Sequence, residues 1–349
     1  MAFSFKVLDQ ELQPYVTTWG EIEHVKDVLL AKTQLFVGSH SVTLGNQDGR
    51  FSPKVSGSLF KGRNYLNAKG VITDSSTGEV LFRGLISSIT LDKSRRTATV
   101  DMNNFLSIPT SQNITRTDTG ANPVGLILSI LKNAGLTAYI DNNSFLAAAG
   151  PAAAAGATVN TAWTGNITVL SAIQALSELA AVSVFLQNDK IYCRPYVAYS
   201  GTNSQMRYEI KASNVINFNS LTDATSAFKT QVTVTYSTAS TLTLTNAAAL
   251  AQNNAVISGF QITGITGSPI VIPNLVSATY FGNLYLSRAS LLRRELQIDG
   301  DNTLAPIRIG DRHPVTDTFL GFSNEPFEVI ETHRKLDDNT TSLVLASLT

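Results

Sequence analysis

The sequence predicts an α+β chain that is mainly β, with two β-rich regions flanking a small α/β segment. Three observations predict it. Short runs of β-branched and aromatic residues broken by turn signals fill both ends of the chain. Two amphipathic stretches with helix-start signals lie between them, at Asn122 and at Thr168. Period-two alternation then returns in Gln231-Val232-Thr233-Val234-Thr235-Tyr236. A chain of 349 residues is long enough for two or three domains without disulfide or metal staples. The expected boundaries are 1–108 for a first β-barrel, 109–200 for the small α/β unit, and 201–349 for a second β-barrel carrying one helix.

In the first region, strand-like runs cover Lys32 to Leu44, Val71-Ile72, Val80 to Phe82, Leu85-Ile86 and Ala98 to Val100. Gln47-Asp48-Gly49, Ser75 to Gly78 and Asp92-Lys93-Ser94 separate these runs as turns, which predicts hairpins of a barrel or sandwich. Asn122 then caps a helix with Pro123 in its first turn, and Val124, Ile127, Leu128, Leu131 and Ala134 form its apolar stripe up to Gly135. The Ala/Gly/Pro tract from Ala147 to Thr158 reads as a loop insertion, because Gly and Pro interrupt its alanines. Thr168 opens a second helix with Val169, Ile173, Leu176 and Ala180 on one face. A hairpin follows, turning at Asn188-Asp189. Beyond Pro195 the reading is a strand at 231–236, a long Thr/Ala/Asn-rich separator from Ser237 to Pro273, and a helix carrying Tyr285, Ala289, Leu292 and Leu296. Arg293 and Arg294 would sit in its last turn, where the helix dipole favours cations. Strands at Pro306–Ile309, Phe327–His333 and Ser342–Leu345 close the chain.

Charge narrows the function classes. Lys and Arg total 26, Asp and Glu total 26, and the formal net charge is zero. That balance offers no basic field for nucleic acid or for an anionic membrane surface. Only 15% of residues are charged, and a weakly charged surface favours association with other subunits. Cys193 is the single cysteine, which excludes a disulfide framework and a cysteine-based zinc site. No signal peptide or membrane anchor is legible near Met1–Gln10, so synthesis in a cytoplasm is expected.

A search for chemistry returns structural readings. GxSxG, P-loop, HExxH, CxxC and strand-following GxGxxG patterns are absent from the sequence. His24, His40, His313 and His333 share no metal-ligand spacing. Asp311-Arg312-His313 could support acid–base work, but neighbours on a strand face opposite ways and Gly310-Asp311 reads as a turn. Glu325, Glu328 and Glu331 could supply a glycosidase carboxylate pair, yet their spacing alternates faces on a strand. Asn46-Gln47-Asp48-Gly49 has oxygen ligands without the glutamate that would complete a calcium loop. Trp19, Trp163 and the ten tyrosines could stack on sugars but are scattered. No catalytic, cofactor-binding or metal residue is therefore assigned, no cofactor is expected, and the chain is expected not to be an enzyme.

The stretch His40 to Pro53 (HSVTLGNQDGRFSP), Lys61-Gly62-Arg63, Gly78 to Ile86 (GEVLFRGLI) and Asp101 resemble the N-terminal region of phage tail hub and baseplate hub proteins. Residues 168–195 (TVLSAIQALSELAAVSVFLQNDKIYCRP) are similar to the small α/β domain of that family. Ile307 to Asp311, Phe327 to Glu331 and Ser342 to Leu345 are similar to its closing barrel. The resemblance implies two tail-tube-like β-barrels flanking the α/β unit, and a structural virion protein at a bacteriophage tail tip or baseplate. It implies a trimer whose six barrels match a hexameric tube. It also implies contacts with the tail tube or distal tail protein, with a spike or central tip protein, and with the tape measure protein. The alternatives are a carbohydrate-binding or cell-wall-hydrolysing tip protein, and the equivalent hub of a contractile injection system. The Ala-rich tract and the 237–273 stretch are longer than the family pattern.

Overall fold

The computed structural model describes residues 3–25, 38–61, 65–187, 189–195, 209–211, 213, 215–223, 228–237, 239–252, 256–257, 259–263, 270–290, 294–301 and 303–348. The chain opens with β1 (Phe3–Val7), β2 (Gln10–Glu11), β3 (Val16–Thr18), β4 (Glu21–Val25), β5 (Ser39–Gly45), β6 (Lys69–Asp74), β7 (Val80–Asp92) and β8 (Thr97–Asn104). A helical turn α1 (Ser107–Thr110) leads to β9 (Asn113–Ala121), α2 (Pro123–Leu131), α3 (Asn142–Ala154), β10 (Val159–Thr168) and α4 (Val169–Ala180). The hairpin β11 (Val182–Gln187) and β12 (Lys190–Pro195) follows, then β13 (Ile210–Lys211), β14 (Asn217–Asp223), β15 (Gln231–Tyr236) and β16 (Ser240–Thr245). Next come α5 (Ala247–Gln252), β17 (Gly259–Thr263), β18 (Ile270–Val271) and α6 (Leu275–Ala289). The last strands are β19 (Arg294–Gly300), β20 (Arg312–Asp317), β21 (Phe322–Lys335) and β22 (Thr340–Ser347).

Alternation in sequence becomes alternation in burial. On β5 the buried residues are His40, Val42 and Leu44, and on the neighbouring β8 they are Asn104 and the apolar Ala98, Val100 and Met102. The apolar ones close a first core with Phe3, Phe5, Phe51, Ile72, Phe82 and Ile86. Its sheet runs β2-β1-β6-β7-β8-β5-β3. The Asn46–Ser52 loop is built by its own side chains: Asn46 Oδ1 accepts from the Phe51 N–H at 2.9 Å, and Asn46 Nδ2 donates to Ser52 Oγ at 3.0 Å. This places Phe51, fully buried, against Tyr15 and Phe60. Gly84 is required by close approach, since a Cβ there would lie 2.5 Å from the Asn103 carbonyl oxygen. Asp101 clasps both adjacent strands, accepting from Ser41 Oγ at 2.6 Å and Ser88 Oγ at 2.5 Å.

The second large sheet runs β13-β20-β21-β22-β19-β14, over a core of Ile210, Leu296, Ile298, Val315, Phe327, Val329, Leu343 and Leu345. The two sheets repeat one topology. If β1, β3, β5, β6, β7 and β8 are numbered one to six in chain order, their spatial order is 1-4-5-6-3-2. The strands β13, β14, β19, β20, β21 and β22, numbered likewise, give 1-4-5-6-3-2 again. Strand five is the longest in each set, 13 residues in β7 and 14 in β21. In both it carries a register shift against strand six, between Ile86 and Ser88 and between Val329 and Glu331. Such a bulge bends a long strand so that its sheet can curl. The copies differ at strand one, which pairs antiparallel in the first set and parallel in the second.

The third body of core lies in the middle of the chain and draws on more of the sequence than 109–200. Helices α2, α3 and α4 share it with Val232, Val234, Ile262, Ile270, Phe281, Tyr285 and Leu286. The small sheets β18-β10-β9 and β16-β15-β17 therefore pack with these helices. Both expected caps are present: Asn122 Oδ1 accepts from the N–H groups of Val124 and Gly125, and Thr168 Oγ1 accepts from that of Ser171.

Four local expectations are corrected. The Ala-rich tract read as a loop is largely helix, because α3 starts earlier, at an Asp141 cap that accepts from the Ser144 N–H at 2.8 Å. Its Phe145, Ala148 and Ala152 are buried, and helix propensity with this packing carries the chain through Pro151. The helix expected to include Leu296 ends at Ala289, and Leu296 is a buried strand residue on β19. Leu296 and Ile298 alternate inward, which outweighs their helical spacing to earlier residues. Pro306–Ile309 forms turns, and the strand there begins at Arg312. The 237–273 separator contains β16, α5, β17 and β18. The expected features at Leu35, Val37, Gly62, Arg63, Asn188, Leu292 and Arg293 lie outside the described residues.

Candidate functional site

The residues that invited a chemical reading are committed to structure. Glu328 is buried and receives Arg312 Nε at 3.2 Å, with side chains only 7% and 11% exposed. Glu331 meets His333 at 3.4 Å on the same strand, and half-buried Glu325 sits opposite Val315. None of the three lines the cavity at the seam of the two large sheets. Asp311 Oδ2 accepts from the Arg308 N–H at 2.9 Å, tightening the turn before β20, and His313 is fully buried opposite Phe327. Cys193 is buried, which pushes its thiol up and leaves it unreactive. Arg50 pairs with Asp48 and lies 4.3 Å from the Tyr15 ring centre, so the Asp48 carboxylate already has a cation. Trp163 is buried and Trp19 packs edge-on against Phe3 at 5.5 Å. Among the described residues, no three His, Cys, Asp or Glu side chains converge as a metal site.

What the sequence did not disclose is a seam joining the two large sheets. Strand β4, from the N-terminal region, leaves its own sheet and pairs antiparallel with the far half of β21. Ile22 faces Arg334, Glu23 faces His333 and His24 faces Thr332. The Asp337 carboxylate, in the turn after β21, accepts from the Trp19 and Gly20 N–H groups at 2.9 and 3.0 Å. Leu336 beside it is 2% exposed and belongs to the core of the first sheet. Each sheet thus contributes to the other.

Charged pairs cross the same seam. Arg308 of the second region binds Glu79 of the first, and Arg334 lies 3.5 Å from Asp74. Arg83 reaches Asp189 of the β11–β12 turn at 3.4 Å, and Arg194 Nη1 donates to the Ile309 carbonyl at 3.2 Å. The two histidines on the seam are displaced in opposite senses. Hydrogen bonding to Glu331, with Glu23 and Glu21 nearby, raises His333 above its ordinary value. Burial, then the Arg308 charge, pushes His24 down to about 4. The seam encloses a cavity of about 30 Å³ lined by Ile22, His24, Leu81, Gln187, Ala305, Ile307, Arg308, Thr332, Arg334 and Thr341.

The outer surface shows apolar groups of a different kind. Phe319 at the tip between β20 and β21 is 94% exposed. Ile216 just before β14 and Leu221 on it are exposed, β14 being an edge strand among the described residues, and Leu275 and Val276 are exposed at the start of α6. An edge strand without a lysine or proline to blunt it is open to pairing.

No family model matches the sequence, and no curated protein is detectably similar to it. Solved structures are similar. A tail protein from Neisseria meningitidis MC58 aligns over 99% of this chain and 96% of its own, with a TM-score of 0.64 at 11% identity. The 43 kDa tail protein of prophage MuSo2 from Shewanella oneidensis aligns over 99% and 98%, with a TM-score of 0.63 at 11% identity. This chain has the phage tail protein fold. That fold extends to the E. coli c3393 protein, a type VI secretion system component described as structurally similar to the T4 tail proteins gp27 and gp5. It aligns over 98% of this chain and 76% of its own, with a TM-score of 0.52 at 10% identity. The expected mainly-β α+β class with two barrel-like sheets is therefore the fold observed.

Proposed function

We propose that this chain is a structural virion protein of a phage tail tip, a hub in which three copies form a ring between the tail tube and a central spike or tip protein. The repeated strand order of the two large sheets carries the reading. A chain containing two similar barrels presents six similar units when three copies close around an axis, so one ring offers sixfold-like contacts on one side and threefold contacts on the other. A symmetry adaptor also needs its two barrels held at one angle. The β4–β21 ladder, Leu336 in the first core and the crossing ion pairs supply that rigidity. The low charge fraction, Phe319 and the open β14 edge suit docking to further copies, to tube or distal tail protein and to tape measure protein.

The role is non-enzymatic, since the carboxylates and histidines that could serve chemistry hold strands and turns together. The type VI component with the same fold favours a second setting for the same role, the hub of a contractile injection machine. A native mass measurement tests the reading. Three-chain particles that bind tube protein support it, and a chain that stays monomeric and binds no tail component overturns it.

A further inference from the structure

The seam cavity has a one-sided chemistry. Its floor is one face of the β4–β21–β22 ladder: Ile22 and His24 on β4, Thr332 and Arg334 on β21, and Thr341 on β22. Arg334 is registered against both Ile22 and Thr341. Its roof is Ala305, Ile307 and Arg308 from the turns before β20, with Leu81 from the first sheet and Gln187 from β11. Two guanidinium groups, an amide and two hydroxyls therefore face one small space, and no carboxylate lines it. Glu79 and Asp74, which pair with Arg308 and Arg334, reach them from outside that lining. The ring nitrogens of His24 meet the Leu81 and Leu186 backbone. Thr341 is 97% buried, yet its Oγ1 has no hydrogen-bond partner among the described residues. A buried hydroxyl without a partner is costly, so the group calls for an occupant.

We infer that the cavity binds one small monovalent anion of halide size, held by the Thr341 hydroxyl and the Arg308 and Arg334 guanidinium groups. The space suffices, since about 10–15 Å³ already admits a water. The occupant is an anion because the two charged groups lining the space are both cationic, and the Arg334 side chain is only 12% exposed. Burial lowers the proton affinity of Arg334, the Asp74 carboxylate opposes that, and the Arg308 charge lowers it further. A single negative charge there relieves the repulsion between the two guanidinium groups and braces the sheets across the seam. The inference stands on the seam geometry and is independent of the hub reading.

Bromide is the probe. Crystals of the full chain grown with sodium bromide are expected to show an anomalous peak between Thr341 and the two arginines. Thermal unfolding at fixed ionic strength is expected to shift upward by a few degrees as bromide replaces fluoride, and to saturate. Thr341→Val, which keeps shape and removes the hydroxyl, is expected to lose at least tenfold in bromide affinity, and Thr341→Ser to restore it. A cavity without an anomalous peak, holding water alone, overturns the inference. So does a bromide response identical in wild type and Thr341→Val. If Thr341→Val does not fold, the anomalous map of the wild-type protein decides.

Discussion

Replacing Leu336 by alanine tests whether the two barrels are one mechanical body. Leu336 follows the last residue of β21 and is nearest in sequence to the second sheet, yet its side chain is buried in the core of the first. Truncating a fully buried leucine removes transfer energy and leaves a cavity, at a cost of about 2–5 kcal/mol. The site can relax somewhat, because it lies in a turn beside the surface, so about 3 kcal/mol is expected. With a urea slope of about 3 kcal/mol/M, the midpoint falls by about 1 M. The assay is urea unfolding followed by fluorescence and by far-ultraviolet circular dichroism. Trp19, whose N–H is held by Asp337, reports on the seam. The expected result is a downward midpoint shift with the fluorescence change moving ahead of the loss of β-structure. A cost under about 1 kcal/mol, with both signals still coincident, would refute the idea that Leu336 couples the barrels.

Other predictions concern the charges and the outer surface. Burial holds His24 neutral, with its value lowered from 6.5 to about 4. The stability it contributes is present above pH 6.5 and lost as pH falls through about 4, at most about 3 kcal/mol, and His24→Gln should flatten that part of a stability–pH curve. His333 is raised, so its contribution is present below pH 6.5 and lost as pH rises through its folded value. His333→Gln should remove that loss, as measured by unfolding midpoints at successive pH values. Glu328→Ala removes the carboxylate 3.2 Å from the buried Arg312 guanidinium and should cost about 3 kcal/mol, while adding Arg312→Met should recover part of it in a double-mutant cycle. Phe319→Ser should leave stability within about 0.5 kcal/mol, because the ring touches little, but should weaken association between copies or with tube protein. Sedimentation of the variant against wild type checks this.

What was legible in the sequence was local. The Asn122 and Thr168 caps are single-residue signals acting two or three positions along the chain, and both are realised. Hairpin turns at Asp92-Lys93-Ser94 were readable for the same reason: Asp92 accepts from the Ser94 and Arg95 N–H groups. In the Ala-rich tract, Gly150 and Pro151 signal a loop locally, while the Asp141 cap and the buried face of Phe145, Ala148 and Ala152 hold α3 together. The seam was invisible for a different reason. Its contacts join residues far apart in the chain, 229 positions between Glu79 and Arg308 and 318 between Trp19 and Asp337. No window of sequence contains both partners. The internal repeat left a faint trace in its turns, where Arg96 and Asn339 both adopt left-handed backbone just before a threonine that opens strand six. The two turns then diverged: Asp92 closes its own loop, while Asp337 reaches out to hold the entry to β4.

If three copies close into a ring, two similar barrels per chain become six similar units. Imaging the purified assembly by electron microscopy tests it most directly. A closed ring of three chains is expected, with six barrel densities near 60° intervals and β7 and β21 occupying equivalent places in alternate barrels. A ring of another copy number, or barrels at unequal angles and radii, would contradict it.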